Sequence, residues 1–139
     1  MKSFVVIGLG LFGSSVARQL CALGAEVLAI DTNSDLVQQV STDVTNAVVA
    51  DARDQEVLRA LGAHECDCAV IAIGDDLAGS VLATMNVKEL GVGHVVCKAH
   101  DEVHRKVLEK LGADRVLIPE KEVADKLARS LPSHNVLDF

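Results

Sequence analysis

The residues with the clearest capacity for chemistry lie at the start of the chain. Val5, Val6 and Ile7 lead into Gly8-Leu9-Gly10-Leu11-Phe12-Gly13, three glycines spaced as G-x-G-x-x-G. That spacing acts on a ligand only where a strand ends and a helix begins. Gly8 then makes a tight turn, Gly10 lets the main chain approach an anion where any Cβ would intrude, and Gly13 lets the helix pack close to the strand. The first amides of such a helix lack acceptors and carry about half a positive charge, which suits a diphosphate. Asp31 follows Gly10 by 21 residues, where a carboxylate accepts from ribose hydroxyls and repels a 2′-phosphate. An adenine nucleotide is expected, with NADP disfavoured and NAD(H), ATP, ADP and AMP unresolved. The alternative is a turn whose glycines serve packing alone, with Asp31 as a loop cap.

Other residues of the right kind follow at the ends of later apolar runs. Thr32 and Asn33 offer a second polar contact or form the turn into the next helix. Asp51, followed by Ala52 and Arg53, is placed either to accept from an adenine amino group or to cap a helix. Ala72-Ile73-Gly74 ends the fourth run, where Gly74 allows close approach to a ligand, and Asp76 reads as an N-cap. Lys98 is the best-placed single cation for phosphate. His100 and His104 stand four apart on an apolar stripe and read as packing positions rather than metal ligands. Ser14, Ser15 and Ser80 have no histidine beside them in sequence, and neither a GxSxG elbow nor a GxxxxGK[ST] loop occurs. No nucleophile and base pair is evident, so the chain reads as a binding module. Replacing Asp31 by Ala is expected to cost much of the adenosine-ligand response and leave the ligand-free melting point almost unchanged.

The elements that must position these residues are legible as alternation. Apolar runs at Ser3 to Ile7, Glu26 to Ile30, Ala47 to Ala50, Cys68 to Ile73, His94 to Cys97 and Arg115 to Ile118 read as strands, near-continuously apolar as in a sheet covered on both faces. Helical patterns fall at Phe12 to Leu23, Ser34 to Val40, Asp54 to Leu61, Asp76 to Leu90 and Glu102 to Leu111, four of them stopped by Leu-Gly pairs. A last helix, about Lys121 to Leu131, carries an apolar stripe that either caps its own sheet or crosses to a second subunit. The fold expected is α/β, a Rossmann-type doubly wound parallel six-stranded sheet with a C-terminal crossover helix. One domain spans residues 1–131, and 132–139 read as a linker or tail.

Composition agrees. Half of the 139 residues are hydrophobic, with three Phe and no Trp or Tyr, and the net charge is −7. Phosphate-backbone binding needs clustered Lys and Arg, so nucleic acid is not an expected partner. No signal-peptide pattern or spanning apolar run is present, which predicts a cytoplasmic location. The four cysteines lack paired C-x-x-C spacing and read as reduced thiols.

Gly8 to Gly13, Asp31, Asp51-Ala52, Ala72-Ile73-Gly74, Lys98-Ala99, Leu111-Gly112-Ala113-Asp114 and Ile118-Pro119-Glu120 together resemble the KTN (RCK N-terminal) domain. That family comprises regulatory subunits of bacterial Ktr and Trk potassium uptake systems. The resemblance runs to Asn135-Val136-Leu137-Asp138, similar to the family's exit toward a second lobe, which does not follow here. It implies a homodimer, often within an octameric ring under an integral membrane potassium-translocating subunit at the inner face of the membrane. Ring shape would change as NAD(H), ATP or ADP exchange, with the last helix crossing to the partner. It further implies phosphates at the glycine turn, ribose at Asp31, adenine near Asp51 and Lys98 close to the ligand. Glu120 would help to hold a divalent cation, Mg or Ca, between subunits. Leu11 departs from the arginine many members carry there, which leaves NAD(H) at least as plausible as ATP or ADP. The other class of function is the NAD-binding domain of a dehydrogenase-like oxidoreductase, which would need a substrate domain and a proton-transfer residue.

Overall fold

The computed structural model describes residues 2–133. Six strands alternate with six helices: β1 (Ser3–Ile7), α1 (Leu11–Ala22), β2 (Glu26–Asp31), α2 (Ser34–Val40), β3 (Asn46–Val49), α3 (Gln55–Ala60), β4 (Cys68–Ile71), α4 (Leu77–Glu89), β5 (His94–Lys98), α5 (Glu102–Lys110), β6 (Arg115–Leu117) and α6 (Pro119–Ser130). All pairings are parallel and the strand order is β3-β2-β1-β4-β5-β6. The Rossmann-type doubly wound sheet expected from the sequence is the fold observed.

Side chains alternate across the sheet and feed two core layers. Val5 and Ile7 of β1 join Leu58 of α3, Val87 of α4 and Leu108 of α5 on one face. Val6 packs on the other face with Ala17 of α1 and with Val37 and Val40 of α2. Both faces are covered, which explains why the strands read as continuous apolar runs. Helix starts are set by short polar side chains: Asn33 accepts from the amides of Asp35 and Leu36, Asp54 from Glu56 and Val57, Asp76 from Gly79 and Asp101 from His104.

Most boundaries fall within one residue of expectation, and three departures are larger. β4 ends at Ile71 because Ala72 and Ile73 turn toward the first glycine loop, although the Ala72 amide still donates to the Ile7 carbonyl at 2.7 Å. α6 starts at Pro119, two residues early, since proline fits a first helical turn whose amide needs no acceptor. Leu131–Ser133 add one 3-10 turn where a patternless tail was expected; residues 134–139 of that tail lie outside the described residues. α6 does not cap its own sheet. It buries no residue, and Val123 and Leu127 are 66% and 57% exposed. Among the described residues no helix is long and apolar enough to cross a membrane.

A buried polar tie joins α4 to α5. His104 Nδ1 accepts from the His100 amide at 2.9 Å, so the ring proton sits on Nε2, which lies 3.0 Å from Ser80 Oγ. Burial lowers the His104 pKa, with Asp101 opposing and His100 adding to the shift. The neutral ring is the folded form, while an unfolded imidazole protonates near pH 6.5. Its contribution to stability is therefore complete above that pH and is lost as pH falls through it. Urea midpoints measured at pH 7.5 and 5.5 should drop more for the natural chain than for His104→Gln; equal drops would exclude His104 as the source.

Candidate nucleotide-binding cleft

The glycine turn is built by close approach. Gly8 adopts φ +98°, and a Cβ there would lie 2.7 Å from the carbonyl carbon and oxygen of Ala72 and 2.9 Å from the Ile73 amide. Its own amide donates to the Ile30 carbonyl at 2.8 Å, tying the turn to β2. At Gly13 a side chain would meet the Gly8 carbonyl oxygen, with Ala72 Cβ at 3.1 Å. The third glycine therefore makes room for the turn itself as much as for the strand. Gly10 differs: nothing lies within 4 Å of where its Cβ would sit, and its φ is −65°. Neither the fold nor the backbone requires glycine there.

α1 begins at this turn without a side-chain cap. The amides of Leu11, Phe12 and Gly13 consequently have no intrahelical acceptor, and the positive end of the helix is unneutralised. The Leu9 amide, in contrast, is already engaged. It donates to Asp31 Oδ2 at 2.7 Å, and the Asn33 amide donates to Asp31 Oδ1 at 2.8 Å. Asp31 is thus a loop brace as well as a carboxylate at the strand end, and the two readings of it are not exclusive.

A cavity of about 470 Å³ opens over the carboxyl ends of the strands. Gly8, Leu9, Gly10, Phe12, Asp31, Thr32, Asn33, Asp51, Ala52, Arg53, Ala72, Ile73, Gly74 and Lys98 all line it, as the sequence reading grouped them. Leu11 and Gly13 do not: the Leu11 side chain is 88% exposed on the outer rim, and Gly13 is buried behind the turn. Glu120 is remote, exposed in the first turn of α6. Among the described residues no group of three or more His, Cys, Asp or Glu could hold a metal ion. Sequence reasoning missed the apolar floor of Ile7, Ile30, Leu36 and Ala50 and the α4 wall of Asp75, Asp76 and Gly79. Their signal was position alone, at the carboxyl end of each apolar run and the start of α4.

Charges in the cleft are arranged in pairs. Arg53 Nη2 lies 2.9 Å from Asp51 Oδ2, its Nε lies 3.1 and 3.2 Å from the two carboxylate oxygens, and its amide donates to Oδ1 at 3.0 Å. These bonds hold the Asp51 carboxyl below its usual range and raise the Arg53 guanidinium. Lys98 Nζ stands 5.9 Å from the Phe12 ring centroid and 3.4 Å from where a Gly74 Cβ would lie. The close neighbour of Gly74 in this structure is therefore the end of the Lys98 side chain.

Ser80, with no histidine beside it in sequence, does face one in space, contributed by α5. The pair is not a nucleophile and base. Ser80 is fully buried, and His104 Nε2 bears the proton and cannot accept one from the hydroxyl. All four cysteines are free thiols, with Cys68 and Cys97 buried. Burial pushes the Cys97 thiol up to about 11 and raises Cys66 and Cys68, so none of these three is poised as a thiolate.

Residues 4–119 match the TrkA-N domain family model. The chain belongs to the TrkA-N domain family. Ktr system potassium uptake protein C of Bacillus subtilis (strain 168) is 41% identical over 138 residues, covering 99% of this chain and 62% of that protein. The TrkA-N chain thus spans less than two thirds of its curated relative. The NAD(P)-binding domain of an exopolyphosphatase-related protein from Archaeoglobus fulgidus superposes with a TM-score of 0.82 at 19% identity, covering 96% of this chain and 100% of that one. The GsuK channel bound to NAD gives a TM-score of 0.73 at 15% identity, covering 84% of this chain and 21% of the channel chain. The ADP-bound GsuK structure gives 0.72 at 15%, covering 84% and 31%.

The turn geometry separates two glycine substitutions. Gly8→Ala should lower the unfolding free energy by about 2 kcal/mol or more, through strain at positive φ and collision with Ala72. Gly10→Ala should stay within about 0.5 kcal/mol of the natural chain in urea unfolding without ligand. Asp31→Ala, against the sequence expectation, should destabilise the ligand-free fold by about 1–3 kcal/mol, because two backbone donors lose their acceptor. An unchanged urea midpoint for Asp31→Ala would show that the brace carries no stability.

Proposed function

We propose that this domain binds an adenine nucleotide, NAD(H) or ATP/ADP, and acts as the regulatory module of a membrane potassium-translocating protein. The observation that carries the reading is the uncapped start of α1 beside Asp31, at the mouth of a cavity large enough for a nucleotide. Phosphates would take the first-turn amides of α1 with Lys98 as the nearby cation. Asp31, with lone pairs left after bracing the turn, would accept from the ribose hydroxyls. Asp51 and Arg53 would border the base. Leu11 supplies no charge at the rim, so a third phosphate gains little there. Kinship to the Ktr system proteins supports the transport role, and the NAD-bound and ADP-bound GsuK structures support the ligand class.

Regulation would work by differential binding: a nucleotide that fits one arrangement of subunits better than another shifts their balance. Two apolar faces support self-association. One is α6, with Val123 and Leu127 exposed; the other runs over α4 and α5, where Leu77 and Val103 are exposed. A homodimer through α6 and closure through the second face would build a ring, with eight copies in the form expected. The domain would then sit in the cytoplasm, peripheral to the inner face of the membrane. Glu120, in the first turn of α6, would hold a divalent cation, Mg or Ca, only with residues of a second subunit. We assign no catalytic residues.

Thermal unfolding with NADH, NAD, NADPH, ATP, ADP and AMP tests the ligand class. A nucleotide at 100 times its dissociation constant should stabilise the fold by about 2.7 kcal/mol. NADPH should fall well short of NADH; an equal response would remove the ribose role given to Asp31, and no response to any nucleotide would remove the proposal.

A further inference from the structure

The cleft has two ends with different chemistry. The start of α1 and Lys98 mark the anionic end, over β1 and β5. Asp31, at the end of β2, marks the sugar. The group attached to that sugar must then lie on the far side, among the residues that follow β3, the strand beyond β2. There the structure places Asp51, Ala52 and Arg53. Arg53 is unusual among them, since its guanidinium is held by Asp51 through three side-chain bonds of 2.9–3.2 Å while half its side-chain surface remains exposed. An arginine meant to grip phosphate would sit at the other end. One that lines the cavity with its edge bonded to a carboxylate, and half its surface exposed, has a planar face to offer.

Resting on the nucleotide reading above, we propose that Arg53 is the base-recognition residue of this cleft: Asp51 orients its guanidinium plane to stack on a purine, and does not itself accept from the base. Guanidinium planes stack on aromatic rings where an ammonium cannot match the overlap. The larger ring system of a purine gains more from this face than a pyrimidine does. Asp51 is then a positioning residue, acting through Arg53. Leu36 and Ala50, half-buried in the lining, supply an apolar surface at the same cavity.

The test is calorimetric titration of the 139-residue chain with ADP and with UDP, for the natural sequence, Arg53→Ala and Arg53→Lys. Arg53 is on the surface, so both variants should keep the ligand-free melting temperature, which is measured alongside. Stacking on one base predicts that both substitutions weaken ADP about tenfold or more and UDP by much less, narrowing the preference for ADP. Full ADP affinity in Arg53→Lys would overturn the proposal by showing that charge alone suffices. So would an equal loss for ADP and UDP, which places Arg53 at the phosphates, or unchanged ADP binding in Arg53→Ala. If the natural chain binds neither ADP nor NADH, the nucleotide reading itself fails and this assignment falls with it; binding that is indifferent to Arg53 removes only the assignment.

Discussion

Everything in the cleft depends on the bond between Asp31 and the Leu9 amide. It spans 2.7 Å and joins the loop after β1 to the end of β2, two strands whose only other link at this level is the Gly8 amide on the Ile30 carbonyl. A carboxylate that accepts from two backbone donors is held in one orientation. The same group therefore shapes the turn and presents negative charge at a fixed point over the sheet. The cost is one amide withdrawn from the anion site, which leaves the first turn of α1 to supply the positive end.

The acidity of the chain does not conflict with an anionic ligand, because the positive groups of the cleft are local. Asp51 is answered by Arg53, the Asp76 carboxylate accepts from the Gly79 amide at the start of α4, and Lys98 stands near Phe12. Beside them is a helix start without a cap, in a fold where α2 to α5 each have one.

The sheet and its two layers were legible because residues with opposite neighbours are still alike. Val5 and Val6 face different helices yet are both apolar, so β1 reads as a continuous run, as strands of a parallel sheet covered on both faces do. Asp54 and Asp76 announced their helices for a similar reason, since a cap acts on amides two or three residues away. The Asp31 to Leu9 bond was not legible, because its partners lie 22 residues apart and the backbone donor is invisible in side-chain identity. Ser80 facing His104 escaped in the same way, being a contact between two helices. α6 was read as a stripe without a partner, and nothing in its spacing could say that its own sheet would leave it uncovered.

Both outermost strands are short, four residues in β3 and three in β6. An unpaired strand edge is a template for another chain's backbone, and brevity removes most of its donors and acceptors. Growth of the sheet from copy to copy is thereby discouraged at either margin. Association is steered onto side chains, whose contacts can loosen and re-form without rupturing a ladder of main-chain bonds.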